Sequence, residues 1–333
     1  MAKVRNWSQG TGRFVLALVT VVSVSGACAS SSPSAKAPSS PPPAPSVSPS
    51  GVASPAADLV VGGDRPVTVH IPGSYDPREP APLLILLHGY SGTGPGDATE
   101  FKLAPAAEAG GFIAAYPDGT VDSQGNRFWN ATDAACDFDR SGADDVGYLT
   151  DLIAEIEAQL AIDPKRIYVF GHSCGGFMAY RLACEKADVV AAIVSVAGAT
   201  YADPAACAPN VPVSVAQIHG TADDIVLYEG GDLSDWDPSG PPRPYPGAKT
   251  TAETWAADNG CAEAPTTLDA RIDVDAGLSS GTDQAETSVA EWTGCTSGAT
   301  VQLWTIPDGG HMPTVSTSFA ETVLGFMLDH PKP

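Results

Sequence analysis

Residues 166–186 read RIYVFGHSCGGFMAYRLACEK. A β-branched and aromatic run, Arg166 to Phe170, meets the tight turn Gly171-His172-Ser173-Cys174-Gly175. An apolar helical pattern then follows through Phe177, Met178, Tyr180, Leu182 and Cys184. Strand, turn and helix in that order are the setting in which G-x-S-x-G forms a nucleophile elbow, because the flanking glycines tolerate a strained turn that lifts the serine hydroxyl over a sheet. Ser173 is therefore the candidate nucleophile.

Outward from this turn, strand and helix patterns alternate. Val67 to Ile71 reads as an edge strand before Pro72-Gly73, and Leu83 to Leu87 is continuously apolar, as a strand covered on both faces must be. Further strands are expected at 112–116, 191–196, 213–218 and 301–306, and a helix from Asp144-Asp145, either of which can be its N-cap, to about Ala161. After Leu87 stands His88-Gly89-Tyr90-Ser91-Gly92-Thr93-Gly94. At this place in a serine hydrolase the backbone N–H of Tyr90 would join that of Cys174 as an oxyanion hole. The G-x-G spacing here is no dinucleotide fingerprint, since Pro95 follows and the later acidic residue is missing. After the strand at 213–218, His219-Gly220-Thr221-Ala222-Asp223-Asp224 offers Asp223, with Asp224 as fallback, as the carboxylate that orients a histidine. Pro307-Asp308-Gly309-Gly310-His311 then places a histidine on a glycine-rich loop, which completes the chain order Ser, Asp, His found in the α/β-hydrolase fold. His88 and His219 precede glycines at strand ends and read as structural. Trp129, on a loop beside the expected crevice, is a candidate substrate wall, with packing beneath that loop as the alternative.

The ends of the chain carry a different message. Lys3, Arg5 and Arg13 precede the apolar run Phe14 to Val24, which is too short to span a bilayer, and Ser25-Gly26-Ala27 precede Cys28. Residues 1–27 read as a signal peptide with a lipobox-like end, and Cys28 as a lipidation site that would anchor the chain to the outer face of a membrane; free secretion is the alternative. Residues 28–57 hold eight Pro and ten Ser with Lys36 as the one charge, an expected disordered linker. Residues 58–333 are expected to form one catalytic domain. The formal charge of −22 disfavours nucleic acid as a partner. Six cysteines besides Cys28 suit disulfides in an oxidising compartment. Sequence position suggests Cys184 with Cys207 and Cys261 with Cys295, the latter bracketing a hairpin. Cys136 is left for Cys174, whose alternative is a catalytic thiol.

Over about residues 60 to 330 the chain resembles the secreted polyhydroxybutyrate depolymerase and feruloyl/acetylxylan esterase group. The matching stretches include LLHGYSGTG, Trp129-Asn130 with a cysteine shortly after, DDVGYL, IDPKRIYVFGHSCGGFMAYRLAC, HGTAD, and NGC followed by W-x-G-C and GGH. The resemblance implies an α/β-hydrolase fold with a mostly parallel central sheet and helices on both faces. It also implies Ser173, Asp223 and His311 as a triad with Tyr90 and Cys174 as oxyanion donors, acting on an ester substrate. No cofactor or metal is expected, and the chain is expected to be a monomer. Met312-Pro313 stands where the group carries Trp-Pro after its final histidine, which bears on polymer and feruloyl specificity. A peptidase of the same fold and a non-catalytic binding module are the competing readings.

Overall fold

The computed structural model describes residues 59–234, 240–278 and 285–333. Cys28, the leader and the linker lie outside them, so the reading of residues 1–57 is not addressed by the fold. Among the described residues the strands are β1 (Leu59–Val61), β2 (Val67–His70), β3 (Ala81–Leu87), β4 (Ile113–Ala115), β5 (Thr120–Val121), β6 (Arg127–Phe128) and β7 (Ile162–His172). They continue with β8 (Ala192–Val196), β9 (Ser214–Gly220), β10 (Gly230–Asp232), β11 (Pro244–Pro246), β12 (Thr266–Thr267), β13 (Ser288–Trp292) and β14 (Val301–Ile306). The helices are α1 (Gly94–Glu100), α2 (Leu103–Gly110), α3 (Asp145–Glu157), α4 (Cys174–Glu185), α5 (Ala248–Asp258) and α6 (Phe319–Asp329).

Ten strands form one sheet in the order β1-β2-β4-β3-β7-β8-β9-β14-β13-β12. The run from β4 to β14 is parallel, and the strands outside it are antiparallel to their neighbours. Alternation of side chains along each strand sorts the core into two layers. Leu83, Ile85 and Leu87 pack with α3, α4 and α5 through Leu149, Tyr180 and Trp255. Leu84 and Leu86 face the other way, towards α2 and α6 through Leu103, Val323 and Met327. Burial on both faces explains why β3 reads as an uninterrupted apolar run. The sheet is thus covered by helices on both sides, as expected.

One strand expectation is corrected. β2 is not an edge, because β1 pairs outside it with Val61 opposite Val67. Both valines are buried, and the three-residue β1 is too short to announce itself by alternation. At α3 the N-cap is Asp144, whose Oδ1 accepts from the Gly147 N–H at 2.9 Å. Asp145 instead turns inward against Arg65 (2.6 Å) and accepts the Asn130 N–H at 2.7 Å. Burial pushes its carboxyl upward against these hydrogen bonds. The cysteines pair as Cys136–Cys174, Cys184–Cys207 and Cys261–Cys295. The last pair encloses the antiparallel β12 and β13.

Candidate active site

The parallel strands deliver three side chains to one end of the sheet. Ser173 sits between β7 and α4 with φ 52° and ψ −120°, a conformation that a residue with a side chain rarely adopts. The turn is that tight because its glycines touch backbone. A Cβ on Gly171 would meet the Gly175 carbonyl, and one on Gly175 would meet the carbonyl of Leu87 on the neighbouring strand. Asp223 follows β9 and His311 follows β14; these strands pair in parallel with His219 opposite Thr305 and Gly220 opposite Ile306. The Ala222 N–H donates to the Gly309 carbonyl at 2.9 Å and ties the two loops together.

The result is a hydrogen-bonded series. His311 Nε2 lies 2.9 Å from Ser173 Oγ, and His311 Nδ1 lies 2.8 Å from Asp223 Oδ2. The imidazole side chain is 17% exposed and the carboxylate is fully buried. Asp223 Oδ1 accepts the N–H groups of Ile225 and Val226, both at 2.9 Å. Burial alone would push this carboxyl upward. The hydrogen bonds from His219 and His311, the charge His311 can carry and the Ile225 N–H outweigh burial, and hold Asp223 well below the usual carboxylate range.

Cys174 is the first residue of α4, where a backbone N–H has no acceptor within its own helix. Across the crevice, Tyr90 lies on the loop after β3. Its neighbours are held firmly: the Gly89 N–H by Asp97 Oδ2 at 3.1 Å and the Ser91 N–H by the Arg127 carbonyl at 2.8 Å. The Tyr90 hydroxyl donates to Asp122 Oδ2 and accepts from Asn126 Nδ2 at 3.2 Å. Burial, and then Asp122, push this phenol up to about 12. His88 keeps the same loop in shape: the Gly119 N–H donates to its Nε2 at 2.9 Å and its Nδ1 lies 2.7 Å from the Gly89 carbonyl. Burial pulls its titration down, so the ring is neutral near pH 7.

Beside Ser173 a small apolar cavity, about 30 Å³, is bounded by Tyr90, Phe138, Phe177, Val226, Leu233 and the Cys136–Cys174 bridge. A water needs on the order of 10–15 Å³ on this measure, so the space suits a group of a few heavy atoms.

Trp129 is not part of this wall, which corrects the sequence expectation. It is fully buried, donates Nε1–H to the His88 carbonyl at 3.0 Å and packs on the His88 ring at 5.3 Å. The indole therefore braces the loop that carries Tyr90 from beneath. Phe138, two residues beyond Cys136, supplies the aromatic wall; its ring meets that of Tyr90 edge-on at 5.4 Å. Asp224 stands outside the series, with Asp223 making the contacts. Met312 is 43% exposed and leaves the rim beside His311 apolar. Lys102 also supports the site, since its Nζ donates to the Val315 and Ser316 carbonyls at 2.7 and 3.2 Å and pins the segment after His311. A lone lysine carries no local signal of such a long-range contact. Gln217 did carry one, as a polar residue in the middle of an apolar strand.

The chain is 32% identical over 250 residues to feruloyl esterase B of Piromyces equi, covering 74% of this chain and 42% of that protein. It is 32% identical over 148 residues to a poly(3-hydroxybutyrate) depolymerase of Ralstonia pickettii, covering 41% of this chain and 30% of the relative. The chain thus spans less than half the length of either curated relative. Among solved structures, acetyl xylan esterase from Aspergillus awamori superposes with a TM-score of 0.56 at 17% identity, covering 81% of this chain and 99% of that one. The model of the alpha/beta hydrolase family matches residues 84–323, most of the chain, and together with the parallel sheet, the turn at Ser173 and the placement of Asp223 and His311 it leads to one conclusion: the chain belongs to the alpha/beta hydrolase family.

Proposed function

We propose that this protein is an exported serine carboxylic ester hydrolase acting through Ser173, His311 and Asp223. The observation that carries the reading is the series of 2.9 and 2.8 Å contacts from Ser173 Oγ through His311 to a buried, ionised Asp223. His311 Nε2 takes the hydroxyl proton as Ser173 Oγ bonds to the ester carbonyl carbon, and Asp223 stabilises the imidazolium. The N–H groups of Tyr90 and Cys174 receive the oxyanion; removing one such donor raises a barrier by about 3 kcal/mol. Collapse expels the alcohol, which leaves with the proton from His311, and water activated by the same imidazole releases the acid.

The relatives named for feruloyl esters and poly(3-hydroxybutyrate) support a carboxylic ester as substrate. The small cavity supports a short acyl group. Three disulfides support an oxidising, extracellular setting, with Cys28 as the lipid anchor that a lipoprotein form would use. The test is turnover of p-nitrophenyl acetate and of a dipeptide amide by the purified chain and by Ser173→Ala. Ester turnover that falls by about 10⁴-fold or more in the variant is the expected result. Turnover of the amide alone, or ester turnover that survives the substitution, overturns it.

A further inference from the structure

A second histidine lies against Asp223, buried among groups that the mechanism above does not use. His219, at the end of β9, places Nε2 2.8 Å from the Val226 carbonyl and 3.3 Å from Asp223 Oδ2. On the other side of the ring, Nδ1 is 3.1 Å from Gln217 Nε2. The same amide nitrogen donates to the Gly198 carbonyl at 2.8 Å, and Gln217 Oε1 accepts the Tyr180 hydroxyl at 2.7 Å. Tyr180, Gln217 and His219 are all 1% exposed or less.

This network leaves one consistent assignment of protons. Gly198 offers only a carbonyl, so the Gln217 nitrogen must face it, and the second amide hydrogen then points at His219 Nδ1. That nitrogen has to be a bare acceptor. The ring proton therefore sits on Nε2, facing two acceptors, the Val226 carbonyl and the Asp223 carboxylate. A doubly protonated ring would set Nδ1–H against the Gln217 N–H. Asp223 thus receives three hydrogen bonds, from the Ile225 and Val226 N–H groups on Oδ1 and from His311 on Oδ2, and the His219 Nε2–H, bonded to the Val226 carbonyl, approaches the same Oδ2 at 3.3 Å.

We infer that His219 is a positioning residue, a neutral imidazole locked in its Nε2–H tautomer by Gln217, which holds the Asp223 carboxylate in the orientation that serves His311. The inference rests on the roles proposed above for Ser173, His311 and Asp223. The titratable groups around the ring are Asp223 on the following loop, His311 beyond that carboxylate, Tyr180 of α4 through Gln217, and Tyr228, whose ring stands edge-on at 5.7 Å. By sharing Oδ2, His219 also draws off part of the negative charge that His311 would otherwise feel.

Two variants separate this role from packing. Gln reaches the place of Nε2 and keeps a donor towards Asp223; Asn reaches only the place of Nδ1 and does not. In His219→Gln, kcat/KM on p-nitrophenyl acetate is expected to stay within about threefold of the wild type with an unmoved acid limb. In His219→Asn it is expected to fall about 10- to 100-fold, the loss of one hydrogen bond to a charged group, and the acid limb to move up by about half a pH unit. Equal melting temperatures for the two variants would exclude a difference in folding. Both variants behaving alike, or an unmoved limb in His219→Asn, overturns the inference. Nitrogen NMR of the resting wild type decides the tautomer independently of any variant: a protonated Nε2 with bare Nδ1 on His219 supports it, and a protonated Nδ1 sinks it. Wild-type turnover that is lost in Ser173→Ala while His219→Asn remains unaffected removes only this inference; turnover indifferent to Ser173→Ala removes the esterase reading and this one with it.

Discussion

The two sides of the crevice are built on opposite plans. On one side Ser173, Asp223 and His311 hang from the ends of β7, β9 and β14, strands in the parallel run of one sheet whose backbone pairing repeats along their length. On the other side the loop from 117 to 143 has only the two-residue strands β5 and β6, joined by the Thr120–Phe128 and Val121–Arg127 pairs. Its shape comes from separate anchors. Asp145 accepts the Asn130 N–H, Arg181 donates to the Asn130 carbonyl at 2.7 Å, Asp137 accepts from Ser141 and Gly142, Trp129 is tied to His88, and Cys136 is tied to Cys174. The difference teaches where each side is vulnerable. A fault in the close-packed turn propagates through backbone that cannot move, whereas each anchor of the loop is one contact among several.

The largest test of that contrast is a pair of glycines. Gly175→Ala drives a Cβ onto the Leu87 carbonyl and is expected to abolish folding or to lower stability by more than about 4 kcal/mol. Gly142→Ala meets no atom within 4 Å and costs only the strain of φ 66°, about 1–2 kcal/mol. Urea midpoints measure both, and the contrast breaks if Gly142→Ala is the worse. Next in size is the disulfide that joins the two sides: replacing Cys136 and Cys174 by Ser together should cost about 2–4 kcal/mol and loosen the cavity wall. A loss below about 1 kcal/mol by calorimetry would mean that the remaining anchors suffice.

A smaller effect should separate the inner aromatic from the outer one. Trp129→Phe removes the donor to the His88 carbonyl and should lower stability by about 1–3 kcal/mol with KM on a short ester unchanged. Phe138→Ala should instead shift selectivity towards longer acyl chains, about tenfold in the ratio of kcat/KM for octanoate over acetate. Equal KM changes in both variants would place Trp129 in the wall after all. Smallest is a pH effect on the loop. His88 titrates below its ordinary 6.5 because it is buried, so the unfolded chain binds the proton first. Its contribution is fully present above 6.5 and declines as pH falls below that value, with a slope of at most about 1.4 kcal/mol per pH unit. Asp223 acts in the same direction lower down. Its carboxyl is held below 3.8, so its contribution is present above that value and lost as the pH falls further. Denaturant midpoints of the wild type and His88→Gln between about pH 5 and 8 should diverge towards neutral pH.

The sequence by itself determined the layered fold, because buried parallel strands and amphipathic helices leave apolar runs and periodicities that need no partner to be read. The strand–turn–helix at Ser173 and the order Ser173, Asp223, His311 were legible for the same reason, since glycines and strand ends mark them locally. Pairing of Cys136 with Cys174 could be argued from the positions of the other four cysteines. The tertiary structure alone decided that Trp129 turns inward and Phe138 outward, that β1 lies outside β2, and that Gln217 locks His219 against Asp223. Each of these depends on which groups meet at contact distance once the chain has folded, as Gln217 meets Gly198 and Tyr180, and neither composition nor periodicity encodes a distance.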